Sequence, residues 1–360
     1  MNYNDYRRKS KLVKVGGIYI GGDSPISVQS MTNTDTHDKE ATYRQVSELR
    51  KAGCDIVRIS VPDIESAEIF RELRARGVTV PLVADIHFNY KIAVAAAMAG
   101  ADKIRINPGN IGSKEGVREV VRACRERGVP IRIGVNSGSL EESILKKYGS
   151  PTAEALAESA LYHASLLEEL DFCDIILSVK ASDVTTMIRA NRILAKGCDY
   201  PLHLGVTEAG ARTSALVKSS VGIGSLLSEG IGDTLRVSLT ENPVEEPRVA
   251  KEILRALSLS NEPAMDIVAC PTCARTKINL ISLLSEFESR VEAEGLRDFG
   301  IKVALMGCAV NGPGEAREAD IGIAGGVGEG LLFKKGQIVR KIKEDELIDE
   351  LIREIKIMRG

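Results

Sequence analysis

Short apolar runs alternate with longer amphipathic stretches from residue 26 to residue 257. Runs of isoleucine, valine and leucine predict strands over 26–31, 56–61, 80–87, 103–107, 131–136, 175–180, 202–207 and 234–239. Between them, apolar residues recur at helical spacing over 39–52, 64–76, 90–99, 114–127, 153–170, 184–196, 211–229 and 249–257. Glycines at 53, 77, 100 and 128 stop four of these helices, as C-terminal caps do. Parallel strands joined by helices need right-handed crossovers, and eight such units close into a (β/α)8 TIM barrel. A doubly wound open sheet has the same alternation and is the rival reading.

The pattern changes after residue 259. Strands are predicted over 266–269, 301–306 and 321–324, with a hairpin of 331–334 and 337–341 around Lys335-Gly336. Helices are predicted over 279–294 and 345–358, the latter running from acidic to basic as the helix dipole favours. The expected organisation is α/β: a barrel over 1–262, then a small α+β domain over 263–360.

The barrel strands are not uniformly apolar, and the exceptions keep register. Residues two apart share a strand face. On that spacing Arg58 goes with Ser60, Asp85 with His87, Arg105 with Asn107, Arg132 with Asn136, Ser178 with Lys180, His203 with Thr207, and Arg236 with Ser238. These are read as falling in the C-terminal halves of their strands, where barrel enzymes carry their active sites. Arg58, Arg105, Arg132 and Lys180 outnumber the nearby acids, Asp85 and Glu208. Buried unpaired cations are costly, so the excess calls for an anionic ligand, and arginine forks suit phosphate. Glu208, just past the seventh strand, would be repelled by such a ligand unless it moves a proton; otherwise it reads as an acid at a helix N-terminus. His203 is either a donor to the ligand or a core residue.

Composition narrows the class. With 44% hydrophobic and 27% charged residues and a formal charge of -2, the chain reads as an ordinary globular protein with no general pull towards nucleic acid or an anionic membrane. No run is apolar for long enough to span a bilayer, and the first residues lack the apolar core of a signal peptide. The 7 cysteines are an odd, scattered set rather than a disulfide framework, which suggests a reducing cytoplasm. Cys54, Cys124, Cys173 and Cys198 are expected to be small core residues. The run Gly325-Gly-Val-Gly-Glu-Gly330 lacks the context of a nucleotide loop and reads as hairpin punctuation.

Cys270, Cys273 and Cys308 stand apart, on turns rich in glycine and proline. Three thiols suit a [4Fe–4S] cluster with one open corner, which Glu315 could fill as a displaceable ligand. Structural zinc is the competitor, although no histidine follows His203.

Several motifs then carry a resemblance that spans nearly the whole chain. Gln29-Ser-Met-Thr-Asn-Thr-Asp35, Arg105-Ile-Asn-Pro-Gly-Asn110, Arg132-Ile-Gly-Val-Asn136, Cys270-Pro-Thr-Cys273 and Met306-Gly-Cys-Ala-Val-Asn-Gly-Pro-Gly-Glu315 resemble the 4-hydroxy-3-methylbut-2-en-1-yl diphosphate synthase family, in its two-domain bacterial form. The resemblance implies an iron–sulfur oxidoreductase of the non-mevalonate isoprenoid pathway, acting on 2-C-methyl-D-erythritol 2,4-cyclodiphosphate by two one-electron reductions. It implies that Cys270, Cys273, Cys308 and Glu315 hold the cluster. Arg58, Arg105, Arg132, Lys180, Asn107, Asn136 and Ser238 would hold the substrate, with His87 and Thr207 assisting, and Glu208 would handle the proton. It further implies flavodoxin or ferredoxin as electron donor and a head-to-tail homodimer. Two other readings compete: a redox sensor that binds a phosphorylated metabolite, and a pterin-type transferase barrel with a structural zinc domain.

Overall fold

Strands of isoleucine and valine, each followed by an amphipathic helix, build the first unit of the computed structural model, which describes residues 3–107, 111, 113–260, 262–308 and 317–360. The chain divides into two units, Met1–Leu259 and Ser260–Gly360. After a short helix α1 (Tyr3–Tyr6) and a hairpin of β1 (Val13–Val15) and β2 (Ile18–Ile20), the barrel strands are β3 (Ser27–Met31), β4 (Ile56–Ser60), β5 (Leu82–Asp85), β6 (Lys103–Ile106), β7 (Ile131–Asn136), β8 (Ile175–Lys180), β9 (His203–Leu204) and β10 (Thr234–Leu235). They pair in parallel in the order β8-β7-β6-β5-β4-β3-β10-β9. A parallel bridge between Leu177 and Leu202 closes the ring between its first and last strands. The barrel expectation therefore holds over the open sheet.

The surrounding helices are α2 (Lys39–Lys51), α3 (Ile69–Ala75), α4 (Tyr90–Ala99), α5 (Lys114–Arg127), α6 (Glu142–Tyr148), α7 (Ala153–Glu168), α8 (Val184–Gly197), α9 (Arg212–Ser228) and α10 (Glu245–Ala256). Asp38, Ser113, Thr152 and Asp183 cap α2, α5, α7 and α8 by accepting backbone N–H bonds. Gly100 and Gly128 end α4 and α5 in the left-handed conformation.

Four departures from the sequence expectation have local causes. The helix expected over 64–76 starts late, because Asp63 and Ser66 cap one another across a turn. The long return after β7 contains α6, too short to show a clear period. The last barrel helix starts at Glu245, four residues before the first apolar position of its pattern. Strands β9 and β10 end after two residues each, where Gly205 passes close to the Lys180 side chain and the Arg236 carbonyl.

The N-terminal hairpin closes the barrel at the strand starts. Val13, Val15 and Ile20 pack there against Ile56, Val83 and Ile176, all buried. Burial of such side chains contributes on the order of 1.5–3 kcal/mol each. The fold therefore seals one end of the barrel with hydrocarbon and leaves chemistry to the other.

In the second unit β11 (Asp266–Ala269), β12 (Lys302–Met306), β13 (Ile321–Gly325), β14 (Glu329–Lys334) and β15 (Gln337–Lys343) form one sheet in chain order. The first three strands are parallel and the last two antiparallel. Helices α11 (Leu280–Ala293) and α12 (Leu347–Arg359) contribute Leu280, Phe287, Val291, Leu351 and Ile355 to its core. Gly326 N–H donates to Glu329 O at 2.7 Å, so the glycine run is a hairpin turn, as expected.

Gly21, which follows the sealing hairpin, has φ 87° and its missing Cβ would fall on the Lys11 carbonyl. Gly21→Ala is expected to destabilise the chain by about 1–3 kcal/mol in urea unfolding. An unchanged midpoint would show that the hairpin does not brace the barrel.

Candidate active site

Register turns the barrel interior into a charged surface. Parallel pairing sets Met31 beside Arg58, Ser60 beside Asp85, Asp85 beside Arg105, Arg105 beside Arg132, and Asn136 beside Lys180. Side chains alternate along a strand, so these residues share the inner face. Arg105 donates to Asp85 at 3.0 Å, and Arg58 Nε lies 3.7 Å from the same carboxylate. Arg58 also points two nitrogens at the Met31 sulfur, at 3.1 and 2.9 Å. Arg236, whose Nη1 lies 3.8 Å from the same sulfur, donates twice to Glu246 of α10, at 3.0 Å each, and Ser30 donates to that carboxylate at 2.7 Å.

Two glycines make room for this. A Cβ on Gly134 would come within 2.5 Å of Arg105 Nε, and one on Gly205 within 2.6 Å of Lys180 Nζ. The cationic side chains lie across neighbouring strands where no side chain opposes them.

The electrostatics follow from burial. Burial pulls Arg58 down to about 10, with Asp85 opposing the shift. Burial alone would raise the Asp85 carboxyl, but Arg58 and Arg105 hold it at about 2. Arg132 and Lys180 are driven well below their ordinary ranges, first by burial and then by neighbouring cations. Such a cluster stores repulsion that an added anion would relieve.

The interior thus gathers Arg58, Arg105, Arg132 and Lys180. Asn107 is buried and donates to Ser139 O at 3.4 Å; Asn136 ends β7 half-buried. Thr207 and Ser238 are half-buried beyond the paired parts of β9 and β10. His87 and Glu208 are exposed in the loops after β5 and β9. Glu208 has φ 51°, a conformation non-glycine residues seldom adopt outside constrained sites.

Three expectations are corrected. Arg132 and His203 lie near the starts of their strands, at 1% and 0% exposure, rather than in the C-terminal halves. The second carboxylate among the cations is Glu246, not Glu208. Of the four expected core cysteines only Cys54 and Cys124 are buried, whereas Cys198 is half-buried and Cys173 exposed. Lys103 is the interior cation that the sequence reading left out, although it lies two residues from inward Arg105; Arg236 was placed in register with Ser238 but not counted among the cations.

In the second unit, Cys270 directly follows β11, and Cys308 lies two residues past the neighbouring parallel strand β12. Both therefore emerge at the same end of the sheet. Gly307 N–H donates to Cys270 Sγ at 3.2 Å, and Lys277 N–H to Gly307 O at 3.0 Å, which folds the Cys-x-x-Cys loop over Gly307. A Cβ at Gly307 would strike Thr276, so the close approach needs glycine. Hydrogen bonds from Arg275, its backbone N–H first, lower the Cys273 thiol below its usual range. Glu315 lies outside the described residues. Among the described residues no three candidate ligand side chains stand close enough to hold a metal ion. The donor chemistry still fits a thiophilic cluster: three free cysteines on one sheet end, with backbone N–H groups turned to the sulfur.

A groove of about 610 Å³ lies elsewhere, among Ile144, Leu161, Tyr162 and Ile193 on the outer helices. Its carboxylates are already engaged: Glu141 accepts from Ser159 and meets His163, and Glu158 accepts from Lys147 and Tyr148.

Comparison with known proteins agrees with both units. The GcpE TIM-barrel domain matches residues 10–251, and the GcpE protein C-terminal domain matches residues 266–357. A protein of Clostridium perfringens named 4-hydroxy-3-methylbut-2-en-1-yl diphosphate synthase (flavodoxin) is 56% identical over 97% of this chain and 99% of its own. One of the same name from Ruminiclostridium cellulolyticum is 57% identical over 98% of each chain. Among solved structures, a type I 3-dehydroquinate dehydratase from Clostridium difficile (17% identity, TM-score 0.50) and a dihydropteroate synthase from Stenotrophomonas maltophilia (15%, TM-score 0.51) each cover 69% of this chain and 98% of their own. At that identity the likeness concerns the barrel fold alone and does not favour a pterin transferase. With both family domains in order and relatives matched end to end, the chain belongs to the GcpE family of 4-hydroxy-3-methylbut-2-en-1-yl diphosphate synthases.

Proposed function

We propose that the chain reductively opens 2-C-methyl-D-erythritol 2,4-cyclodiphosphate and removes a hydroxyl as water, giving 4-hydroxy-3-methylbut-2-en-1-yl diphosphate. The observation that carries this reading is the barrel interior, where buried guanidinium and ammonium groups exceed the carboxylates bonded to them. Arg58, Arg105, Arg132 and Lys180 bind the diphosphate, and Arg236 adds to their field. Asn107, Asn136, His87, Thr207 and Ser238 orient phosphate and hydroxyl oxygens. Arginine forks pre-aimed by Asp85 and Glu246 lose little freedom on binding, which favours a fixed pose. Glu208, held at an unusual backbone angle in the loop past β9, gives up or takes the proton that accompanies loss of water.

Cys270, Cys273 and Cys308 hold a [4Fe–4S] cluster, with Glu315 as its displaceable fourth ligand. When bound, that cluster supplies electrons singly to the substrate. The names of the relatives support flavodoxin as donor, with ferredoxin the alternative carrier. The free thiols suit a cytoplasmic enzyme. A sensor would need the anion site but not Glu208, so turnover separates the readings.

Glu208→Gln should lower kcat by roughly 10²–10⁴-fold while calorimetric affinity for the cyclodiphosphate stays the same. Unchanged kcat would remove Glu208 from the chemistry. Cys273→Ser should lose bound iron and sulfide with the same ligand affinity retained. We further propose a head-to-tail homodimer in which one copy's cysteine unit serves the other copy's barrel. Mixing Glu208→Gln with Cys273→Ser protein should then restore part of the turnover, since one of the two sites in each mixed dimer is intact. Mixed dimers without activity would place each complete site within one chain.

A further inference from the structure

A row of polar side chains extends from Arg132, which pairs with Arg105, towards the strand starts, and the proposed reaction uses none of it except Arg132. It contains Ser27, Gln29, Lys103, Arg132, His203 and Thr234, each at most 5% exposed. Register puts Ser27, Thr234 and His203 side by side on β3, β10 and β9. Gln29 lies one inward step beyond Ser27, and Lys103 one inward step before Arg105. The row is bounded towards the strand starts by the apolar cluster of the N-terminal hairpin. In the other direction stand Met31 and the Arg58–Asp85–Arg105 group.

Its polar atoms find no partner among the described residues. Ser27 Oγ, both amide atoms of Gln29, Lys103 Nζ, Arg132 Nε and Nη1, both ring nitrogens of His203 and Thr234 Oγ1 are all buried and unbonded. Buried polar groups are ordinarily satisfied, so something fills the space between them.

Charge decides what that is. Burial, then Arg132, drives Lys103 well below its ordinary range; His203 is lowered by burial, then by Arg132, Lys180 and Lys103. These two can shed protons, but Arg132 keeps its charge. The carboxylates bonded to interior cations are Asp85 and Glu246, and both are engaged nearer the mouth. Water would satisfy the hydrogen bonds and leave the charge standing. An anion satisfies both.

We propose that the floor of the barrel is a binding site for a small inorganic monoanion of halide size, held by Lys103, Arg132 and His203 with hydroxyl donors from Thr234 and Ser27. A spherical ion suits donors that converge from several strands, because it sets no lone-pair directions. Bound there, it neutralises charge beneath the mouth and fixes Arg132 from below. The site shares Arg132 with the proposed diphosphate set, but its test contains no substrate, so its failure and failure of the proposed reaction are read separately.

The test uses the unmodified full chain without substrate, crystallised with bromide in place of chloride. Anomalous scattering should show bromide in contact with Lys103, Arg132 and His203, and the peak should vanish in Lys103→Met. In solution, unfolding should occur about 2 °C or more higher in sodium chloride than in sodium gluconate of equal ionic strength, a difference lost in Lys103→Met. Bromide only on the outer surface, an adventitious ion only, overturns the proposal. So does an interior occupied by water alone, or equal unfolding temperatures in the two salts. If Lys103→Met does not fold, the bromide crystal of the unmodified chain still decides.

Discussion

Uncompensated positive charge inside a closed barrel is the constraint on which the rest of the structure depends. Removing a cation from water costs several kcal/mol unless partners replace the lost solvation. The fold supplies partial replacement at chosen points: Asp85 serves Arg58 and Arg105, and Glu246 serves Arg236 while accepting from Ser30. It supplies space as well, through Gly134 and Gly205, where any side chain would displace a cation. Compensation stops short of neutrality. Among the described residues Arg132, Lys180 and Lys103 have no carboxylate bonded to them, and that deficit is what makes the interior receptive to anions.

Much of the architecture was legible because the barrel repeats one simple pattern. The elements over residues 90–99, 114–127, 131–136 and 175–180 match their expected limits, since apolar periodicity, capping residues and glycine stops all agree there. Agreement fails where tertiary contacts override local pattern. The segments after β9 and β10 have strand-like sequences, yet regular strand ends where the backbone passes Lys180 at Gly205. Helix α10 begins with Glu245 and Glu246, before any apolar residue marks it. Its start is the point that matters chemically, because it carries the carboxylate that grips Arg236.

The candidate site was legible to the same degree and for the same reason. Alternation along strands placed Arg58, Arg105 and Lys180 on one inner face without any structure. It could not supply depth. Arg132 and His203 look like mouth residues in a strand-by-strand reading, but both are buried near the starts of their strands, with Arg132 paired to Arg105. Lys103 opens its strand next to an apolar run and gives no motif signal, yet it is among the largest fully buried side chains. The cysteines were legible as a set by residue type, while only the sheet shows why two distant segments meet: β11 and β12 are parallel neighbours ending at one edge.

This arrangement links binding to stability in one direction. A barrel interior filled with hydrocarbon would be more stable alone and would bind nothing. Here the repulsion among Arg58, Arg105, Arg132 and Arg236 is present before any ligand arrives, and the proposed diphosphate would remove part of it on binding. The affinity therefore includes relief of stress already built into the empty protein, in addition to the hydrogen bonds formed. The sealing hairpin makes this workable. By closing the strand starts with valine and isoleucine, it shields the cluster from solvent on that side, so the field is directed towards the other end of the barrel.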